Sequence, residues 1–488
     1  MKRITRLSTY SLLKGLLIDE KKTLLIDKHG CYSQKESFDI LNGIINELFS
    51  FGVRKKDVVI LSAVSRKEVA LLIMAIISLG AIVFLKDPNT SMEDFLSNLE
   101  IDIKYKAHIL FIDGKWIVSN KKHSLSLSRQ AINVKPRLKN RKDVPSVYLT
   151  TSGSTGKNKI VALSEYSFLN HVLRQDHAAG TNNGCGYLCL PLYHMFGLEM
   201  LTIYLTTGAL YISDSRNPEI AIDIVNKHQC TSICNVPTFY FMLIDALRKK
   251  KVKMPSLKYG VIAGGAYSQE QFLNIEKELD VYLLSTYGMT EACTTITDTY
   301  GIKDPVLKSS GVGRPFPGIN VVLKDENNHI NKTNGEVCFN GYNLMLGYLK
   351  KDGLLLPLDE DGFFHTGDIA SKDEKGIYHI IGRKKDIIIR GGENLSPALI
   401  EQKIMNLDEI KDACVVGVND QKYGEVVGAY LVSDIDINEK GILLKMSKIL
   451  SKSELPAHII IAKNMPSLDS GKPDKKKVKE LLLRKIEQ

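Results

Sequence analysis

Val69 to Leu85 reads Val-Ala-Leu-Leu-Ile-Met-Ala-Ile-Ile-Ser-Leu-Gly-Ala-Ile-Val-Phe-Leu, a run without a single charged side chain. Such a run has two homes: the hydrocarbon of a membrane, or the space between packed layers of a globular domain. Its length lies at the lower edge for a membrane-crossing helix. Gly80-Ala81 divides it into a helix-like half and a strand-like half, and Lys86-Asp87-Pro88 closes it. The pattern predicts a buried helix, a turn and a buried strand inside an α/β domain, and no membrane span.

The neighbouring sequence agrees. Apolar strand-like runs alternate with helical stretches from about residue 20 to residue 300, among them Val58 to Leu61, Ile109 to Ile112, Ser232 to Val236 and Tyr259 to Ile262. From about Pro315 the strands shorten between Gly and Asn-Asn turns, which predicts a smaller β-rich portion. Gly382-Arg383-Lys384-Lys385-Asp386 is a charged stretch between two apolar strands. Compact α/β texture returns beyond it, through Val415 to Val418 and a helical Ile442 to Leu450. A chain of 488 residues is too long for one core. We expect residues 1–383 to form a large N-terminal part, of layered α/β subdomains plus the β-rich portion, and residues 384–488 a small α+β domain.

The net charge of +10, from 65 Lys+Arg against 55 Asp+Glu, suits anionic small ligands and equally a lysine-rich solvated surface. Nucleic-acid binding calls for arginine-rich or aromatic-interleaved patches. The basic run here, Lys475 to Lys477, reads instead as the solvated face of a terminal helix, so no nucleic-acid partner is expected. Cys185, Cys189, Cys230 and Cys234 form two C-x3-C pairs, a spacing that invites a zinc site. Cys189 falls in the apolar run Tyr187 to Leu192, and Cys234 in another ending at Pro237, so buried free thiols inside strands are the expectation. With no disulfide framework and no apolar segment after Met1-Lys2-Arg3, the sequence points to a reducing cytoplasm.

The chemistry concentrates at residues 150 to 159, Thr-Thr-Ser-Gly-Ser-Thr-Gly-Lys-Asn-Lys. Glycines let backbone N–H groups approach an anion, hydroxyls donate further hydrogen bonds, and lysine adds a point charge. Apolar, β-prone runs flank it, Val144 to Leu149 and Ile160 to Leu163, and a helix follows from Ser164, a suitable N-cap, towards His177. A solvated linker would need neither strand. A Walker A loop would have four residues before its Gly-Lys pair and would open into a helix; here Ser154 and Thr155 alone separate Gly153 from Gly156.

Three further stretches suit a nucleotide. Ser285 to Glu291, placed after an apolar strand, offers an aromatic, a hydroxyl and a carboxylate; Glu291 could hold Mg²⁺ together with substrate oxygens. The alternative is a helix start capped by Thr290. Phe363 to Asp368 sets an acid on a turn, where Asp368 could accept ribose hydroxyls. Ser470-Gly471-Lys472 puts a lysine on a flexible stretch after Pro466.

Together these stretches resemble the adenylate-forming superfamily of acyl- and aryl-CoA synthetases, non-ribosomal peptide adenylation domains and luciferases. The matching runs are TTSGSTGKNK at 150–159, PLYHMFGLE at 191–199, AGGAYS at 263–268, STYGMTE at 285–291, HTGD at 365–368, GRKKDIIIRGGENLSP at 382–397 and PSLDSGK at 466–472. They stand in the family's order and cover the chain from about residue 148 onward. The resemblance implies the adenylate-forming enzyme fold, with residues 384–488 as a mobile C-terminal domain. It also implies a two-step ligase: a carboxylic acid and ATP give an acyl-adenylate and pyrophosphate, then a thiol displaces AMP.

The resemblance implies a role for each matching residue. Ser152, Gly153, Ser154, Thr155 and Gly156, with Lys159, grip the β- and γ-phosphates, and Thr151 belongs to the same nucleotide site. Tyr287 stacks near adenine beside Gly288 and Met289, Thr290 binds the α-phosphate and Glu291 holds Mg²⁺. Asp368 and Arg383 bind the ribose, and Lys472 bridges the carboxylate and α-phosphate. His194 and the backbone of Gly264, Gly265 and Ala266 border the acyl pocket. Lys385 is the hinge, and Gly391-Gly392 approach the thiol after the C-terminal domain swings. Ile160 departs from the family's glycine after the loop lysine, which puts the role of Lys159 in question, and the N-terminal region is short for the family.

Tyr-Gly-Met-Thr-Glu and Gly-Gly-Glu-Asn-Leu-x-Pro resemble the CoA-ligase forms of these motifs. Asn235 to Phe239 lacks the Asp that amino-acid-activating relatives use for the substrate ammonium. CoA is therefore the expected acceptor and a fatty or aromatic acid the expected substrate, in a monomer or homodimer. The alternatives are a stand-alone adenylating enzyme that loads a carrier protein's phosphopantetheine, and a nucleotide-binding scaffold without catalysis.

Overall fold

The uncharged run is buried between two sheets. Lys67–Ser78 is a helix whose every residue is buried, Gly80 turns the chain at φ +75°, and Ile82–Lys86 is a strand buried along its length. The helix packs on that strand and also reaches Thr23–Asp27, which belongs to a different sheet. A helix that is apolar all round needs such cover on both sides. No helix of the described residues is long and apolar enough to cross a membrane. The computed structural model describes residues 6–118, 123–125, 127–152, 157–174, 184–467 and 473–487.

Among these residues the strands form four sheets. In the first, Val58–Ser62 lies parallel to Ile82–Lys86 and Ala107–Ile112, and Ile82–Lys86 lies parallel to Pro145–Ser152; antiparallel strands complete both edges. In the second, Thr23–Asp27, Ala209–Ile212, Cys185–Leu188, Ser232–Asn235, Tyr259–Ile262 and Tyr282–Met289 run parallel, side by side. Parallel alignment puts all their C-terminal ends on one edge. The segments that leave that edge carry Cys189 to His194, Val236-Pro237 and Ala263 to Ala266, in the position where open α/β sheets bind ligands.

The β-rich portion is an antiparallel sheet built from Ile319–Lys324, Asn334–Gly341, Phe364–Lys372 and Tyr378–Arg383. The chain then changes sheet. Lys384–Asp386 is a 3₁₀ turn, and Ile388–Arg390 pairs with Gly424–Val432, which also holds Asp412–Asp420 and His458–Ala462. This last sheet has its own core, with Ile388, Ile400, Val415, Val427 and Met446 buried together.

Local expectations needed three corrections. The helix expected over Ile442 to Leu450 is Glu439–Met446, followed by turns. Cys185 and Cys234 lie in strands, but Cys189 and Cys230 sit just outside them. Cys189 and Cys230 are nevertheless buried just beyond the strand ends, in one apolar cluster with Ala221, Ile222 and Val225. Cys185 is the third departure, being only half-buried, with its sulfur 3.7 Å from that of Cys230. Among the described residues no group of three or more His, Cys, Asp or Glu side chains could hold a metal ion.

Candidate active site

Pro145–Ser152 and Asn158–Ser164 form an antiparallel pair, with Thr151 opposite Lys159 and Ser152 opposite Asn158. The phosphate-type loop is thus the connection of a hairpin; Gly153, Ser154, Thr155 and Gly156 themselves lie outside the described residues. Strand alternation sends Lys159 and Ile160 to opposite faces. Ile160 turns into a small core with Phe84, Phe95, Leu99 and Tyr148. Lys159 turns to the other face, where its Nζ stands 4.8 Å above the ring of Tyr348. Tyr348 belongs to Gly347–Lys350 and is held opposite Val161. A β-branched residue in place of the family's glycine is therefore a core residue, and it leaves the lysine on the site face. Beyond the strand, the Ser164 hydroxyl accepts from the Ser167 N–H at 3.0 Å, capping Glu165–Arg174; the expected extension to His177 falls outside the described residues.

Residues 285 to 289 do not follow a strand, as expected, but end one: Tyr282–Met289 runs through them, and Thr290–Ala292 is a 3₁₀ turn. The reason is a tight hairpin with Thr294–Asp298. A Cβ on Gly288 would lie 1.5 Å from the Thr294 carbonyl oxygen, so this position admits no side chain. The hairpin leaves Thr290 half-buried and Glu291 buried. The Tyr348 hydroxyl donates to Glu291 Oε1 at 2.8 Å. Burial pushes the Glu291 carboxyl up, opposed by that hydrogen bond and by the charges of Arg383 and Lys159.

Asp368 lies not on a turn but in the strand Phe364–Lys372. Glu336 pairs with Ile369 and Cys338 with His365, so Thr366, Gly367 and Asp368 face Val337 alone. Such a bulge re-aims side chains, and Gly367 takes φ +75° to allow it. Asp368, 6% exposed, accepts from the Tyr287 hydroxyl at 2.7 Å and pairs with Arg383 Nε at 3.0 Å. Behind the bulge, Glu336 accepts from the Gly367 N–H at 2.9 Å and pairs with Lys384 at 3.2 Å. Burial works against the Glu336 charge, yet hydrogen bonds from His365, Gly367 and Lys384 hold its carboxyl below the usual range.

On the other side, His194 stands at the N-cap position of Met195–Thr207, without a side-chain capping bond, and its ring lies 4.6 Å from that of Tyr193. Gly264 has φ +78°, and a Cβ on Gly265 would stand 3.1 Å from Pro237 Cδ, so the backbone of 264–266 runs close against Pro237. The Asn235 amide donates to Cys189 Sγ at 3.1 Å, tying the segment that leads to His194 to the one that leads to Pro237. Tyr267 pairs its hydroxyl with Ser285 Oγ, and burial pushes that phenol up to about 12. A cavity of about 650 Å³ adjoins through Pro191 and Tyr193; Lys28, Arg66 and Arg216 stand in its wall with Asp27 and Asp214, and Lys28 pairs with Asp214 at 2.5 Å.

Lys385 is exposed in the turn Lys384–Asp386. Gly391 and Gly392, at φ +57° and +89°, make the exposed turn between Ile388–Arg390 and Glu393–Leu395. Lys472 lies outside the described residues. Ser467 and Pro473, on either side of its segment, are bridged, and Lys475 pairs with Asp386 at 2.9 Å. The structure thus gathers Lys159, Tyr287, Glu291, Asp368 and Arg383, and ranges His194 with Gly264 to Ala266 along the neighbouring strand ends. Sequence reasoning missed Tyr348 and Glu336. Neither sits in a run of chemically distinctive residues, and both act through partners far along the chain.

The family model of AMP-binding enzymes matches residues 20–349, and that of the AMP-binding enzyme C-terminal domain matches residues 399–472. A 2-succinylbenzoate–CoA ligase from Bacillus pumilus is 27% identical over 483 residues, 96% of this chain and 97% of that protein. A substituted-propanoyl:CoA ligase from Mycobacterium tuberculosis is 31% identical over 340 residues, spanning 68% of this chain and 66% of that protein. Among solved structures, ATP-bound MatB from Rhodopseudomonas palustris superposes with a TM-score of 0.84 at 23% identity, over 97% of this chain and 98% of that one. At that identity the superposition establishes the fold.

Proposed function

From the premise that this chain belongs to the AMP-binding enzyme family, we propose that it activates a carboxylic acid with ATP and joins the acyl group to the thiol of CoA. The carboxylate oxygen attacks the α-phosphorus, and the bond to the β-phosphate breaks to release pyrophosphate. The thiol sulfur then attacks the acyl carbon of the adenylate, AMP leaves, and the thiol proton goes to solvent. The protein's part is to position reactants and to neutralise charge that moves between oxygens.

The convergence of Lys159, Glu291, Asp368 and Arg383 carries this reading. Asp368 and Arg383 are paired at the mouth of the bulge, an acceptor and a donor suited to the two ribose hydroxyls, with Tyr287 beside them for the adenine. Lys159 and the hairpin's backbone N–H groups take the β- and γ-phosphates, Thr290 the α-phosphate. Lys472 bridges the attacking carboxylate. A single buried carboxylate next to a lysine fits Mg²⁺ carried in on phosphate oxygens, not an all-protein cage. Glu291 would hold that ion, which when bound draws charge off the phosphates.

His194 and the backbone at 264–266 border a pocket without an Asp at Asn235 to Phe239, consistent with an acid that bears no ammonium. Both relatives described above are CoA ligases, which supports CoA as the thiol. Lys385, in the stretch where the chain changes sheet, is the hinge for the second half-reaction, which brings Gly391-Gly392 to the thiol.

The test is carboxylate-dependent pyrophosphate release across short, medium, long, aromatic and amino acids, with no thiol, with free CoA and with a holo-carrier protein. Thioester with CoA supports the proposal. Thioester with the carrier protein alone moves the acceptor, and release with no acid present refutes the reading.

A further inference from the structure

Tyr348 stands between two groups that must act on the same triphosphate. Its hydroxyl donates to Glu291 Oε1 at 2.8 Å, and its ring lies 4.8 Å beneath Lys159 Nζ. The side chain is 8% exposed. Its backbone is fixed from both sides, by antiparallel pairing with Val161 in the strand that carries Lys159 and with Leu355 in the strand Gly353–Leu355. The Met345 N–H, three residues earlier, donates to the carbonyl of Glu291 itself at 2.8 Å. One short segment, Met345 to Tyr348, thus grips Glu291 by its main chain and its side chain, and the same strand faces the lysine.

We infer that Tyr348 is a positioning residue for the metal–triphosphate complex: its hydroxyl sets the Glu291 carboxylate for Mg²⁺, and its ring sets Lys159 for the phosphates. The physical reason lies in carboxylate geometry. A glutamate has three rotatable bonds, and ordering it costs side-chain entropy at the moment of binding unless a partner has ordered it beforehand. Metal-ligating carboxylates are held by such outer hydrogen bonds, and losing one lowers metal affinity about 10–100-fold. The ring contributes separately. A lysine over an aromatic face is held by the ring's quadrupole without being neutralised, so it stays available to an anion. Ile160, buried on the opposite face, keeps Lys159 on this side of the strand, so both contacts follow from one register.

This inference rests on the ligase reading, and its test separates the two. The probe is Mn²⁺ in place of Mg²⁺, with a non-hydrolysable ATP analogue, read by electron paramagnetic resonance on the full chain. Y348F keeps the ring and removes the donor. Expected is a loss of Mn²⁺ affinity in the ternary complex of about 10-fold or more. The KM for Mg²⁺ rises by a like factor while the KM for the acid stays put. E291Q shows a similar loss, and the double variant adds little to it, as two members of one interaction do. Placing 4-aminophenylalanine at 348 keeps a donor on the same ring and restores the affinity; it tests the claim alone if Y348F does not fold. Unchanged Mn²⁺ affinity in Y348F, additive losses in the double variant, or no recovery with the amino analogue would each overturn the inference. A wild-type chain that binds the Mn²⁺–analogue pair yet releases no pyrophosphate with any acid would refute the ligase reading and leave the role of Tyr348 standing.

Discussion

Replacing Ile160 by glycine restores the residue that the family's phosphate loop carries there, and the structure predicts that it harms the protein. Ile160 is 1% exposed and packs with Phe84, Phe95, Leu99 and Tyr148 beneath the hairpin, on the face away from Lys159. Removing a buried Ile side chain down to Cβ costs about 2–5 kcal/mol, through lost transfer energy and the cavity left behind. Glycine in a strand interior adds roughly 0.5–1 kcal/mol of backbone entropy. The expected loss for I160G is therefore about 2.5–6 kcal/mol, and I160V, missing one methylene, should lose only about 1 kcal/mol.

The pair is measured by urea unfolding, followed by tyrosine fluorescence, alongside pyrophosphate exchange scaled to the folded fraction. Because Lys159 faces the other way, exchange per folded molecule should stay within about threefold of wild type, under ~1 kcal/mol of barrier. If I160G unfolds at the wild-type midpoint, the side chain fills no core. If exchange per folded molecule rises tenfold, Ile160 obstructs the loop, and strand alternation does not separate it from the site.

Three other outcomes are expected. K472A slows adenylation about 10²–10³-fold, the scale of losing one transition-state donor, and unaltered carboxylate-dependent exchange would remove Lys472 from its role. K385P leaves adenylation largely intact while suppressing thioester formation; equal loss of both steps counts against a swing about that residue. Burial lifts the Glu401 carboxyl from 4.5 to about 7, against the opposing Lys475 charge and the Val415 N–H. A raised acid is neutral in the fold longer than in the unfolded chain, so its stability contribution is full below the unfolded value and falls away as pH climbs through 7. E401Q keeps the acceptor for Val415 and removes that fall. Hydrogen exchange in Asp412–Asp420 should then show greater protection than wild type at pH 8, by an amount on the order of 3 kcal/mol, and no difference at pH 4.

What could be read from the chain was whatever local periodicity encodes. An uncharged run broken by Gly80 had to become helix, turn and strand, and hydroxyls and glycines between two β-prone runs had to become a hairpin connection. Asp368 was legible as a candidate but not as a bulged strand residue, because three residues facing one depends on the partner strand around Val337. Tyr348 was not legible at all: it reaches Glu291 across 57 residues of sequence, through the pairing of strands whose register no local pattern states. Cys189 was read as a strand residue because burial and strand look alike in an apolar run, whereas it stands just past a strand end.

A crystal structure with ATP and the preferred acid tests the central claim most directly. The account predicts ribose hydroxyls against Asp368 and Arg383, the triphosphate along the 151–159 hairpin with its metal at Glu291, and a carboxylate oxygen in line with the α-phosphorus. A nucleotide bound away from both the hairpin and Asp368 would contradict it.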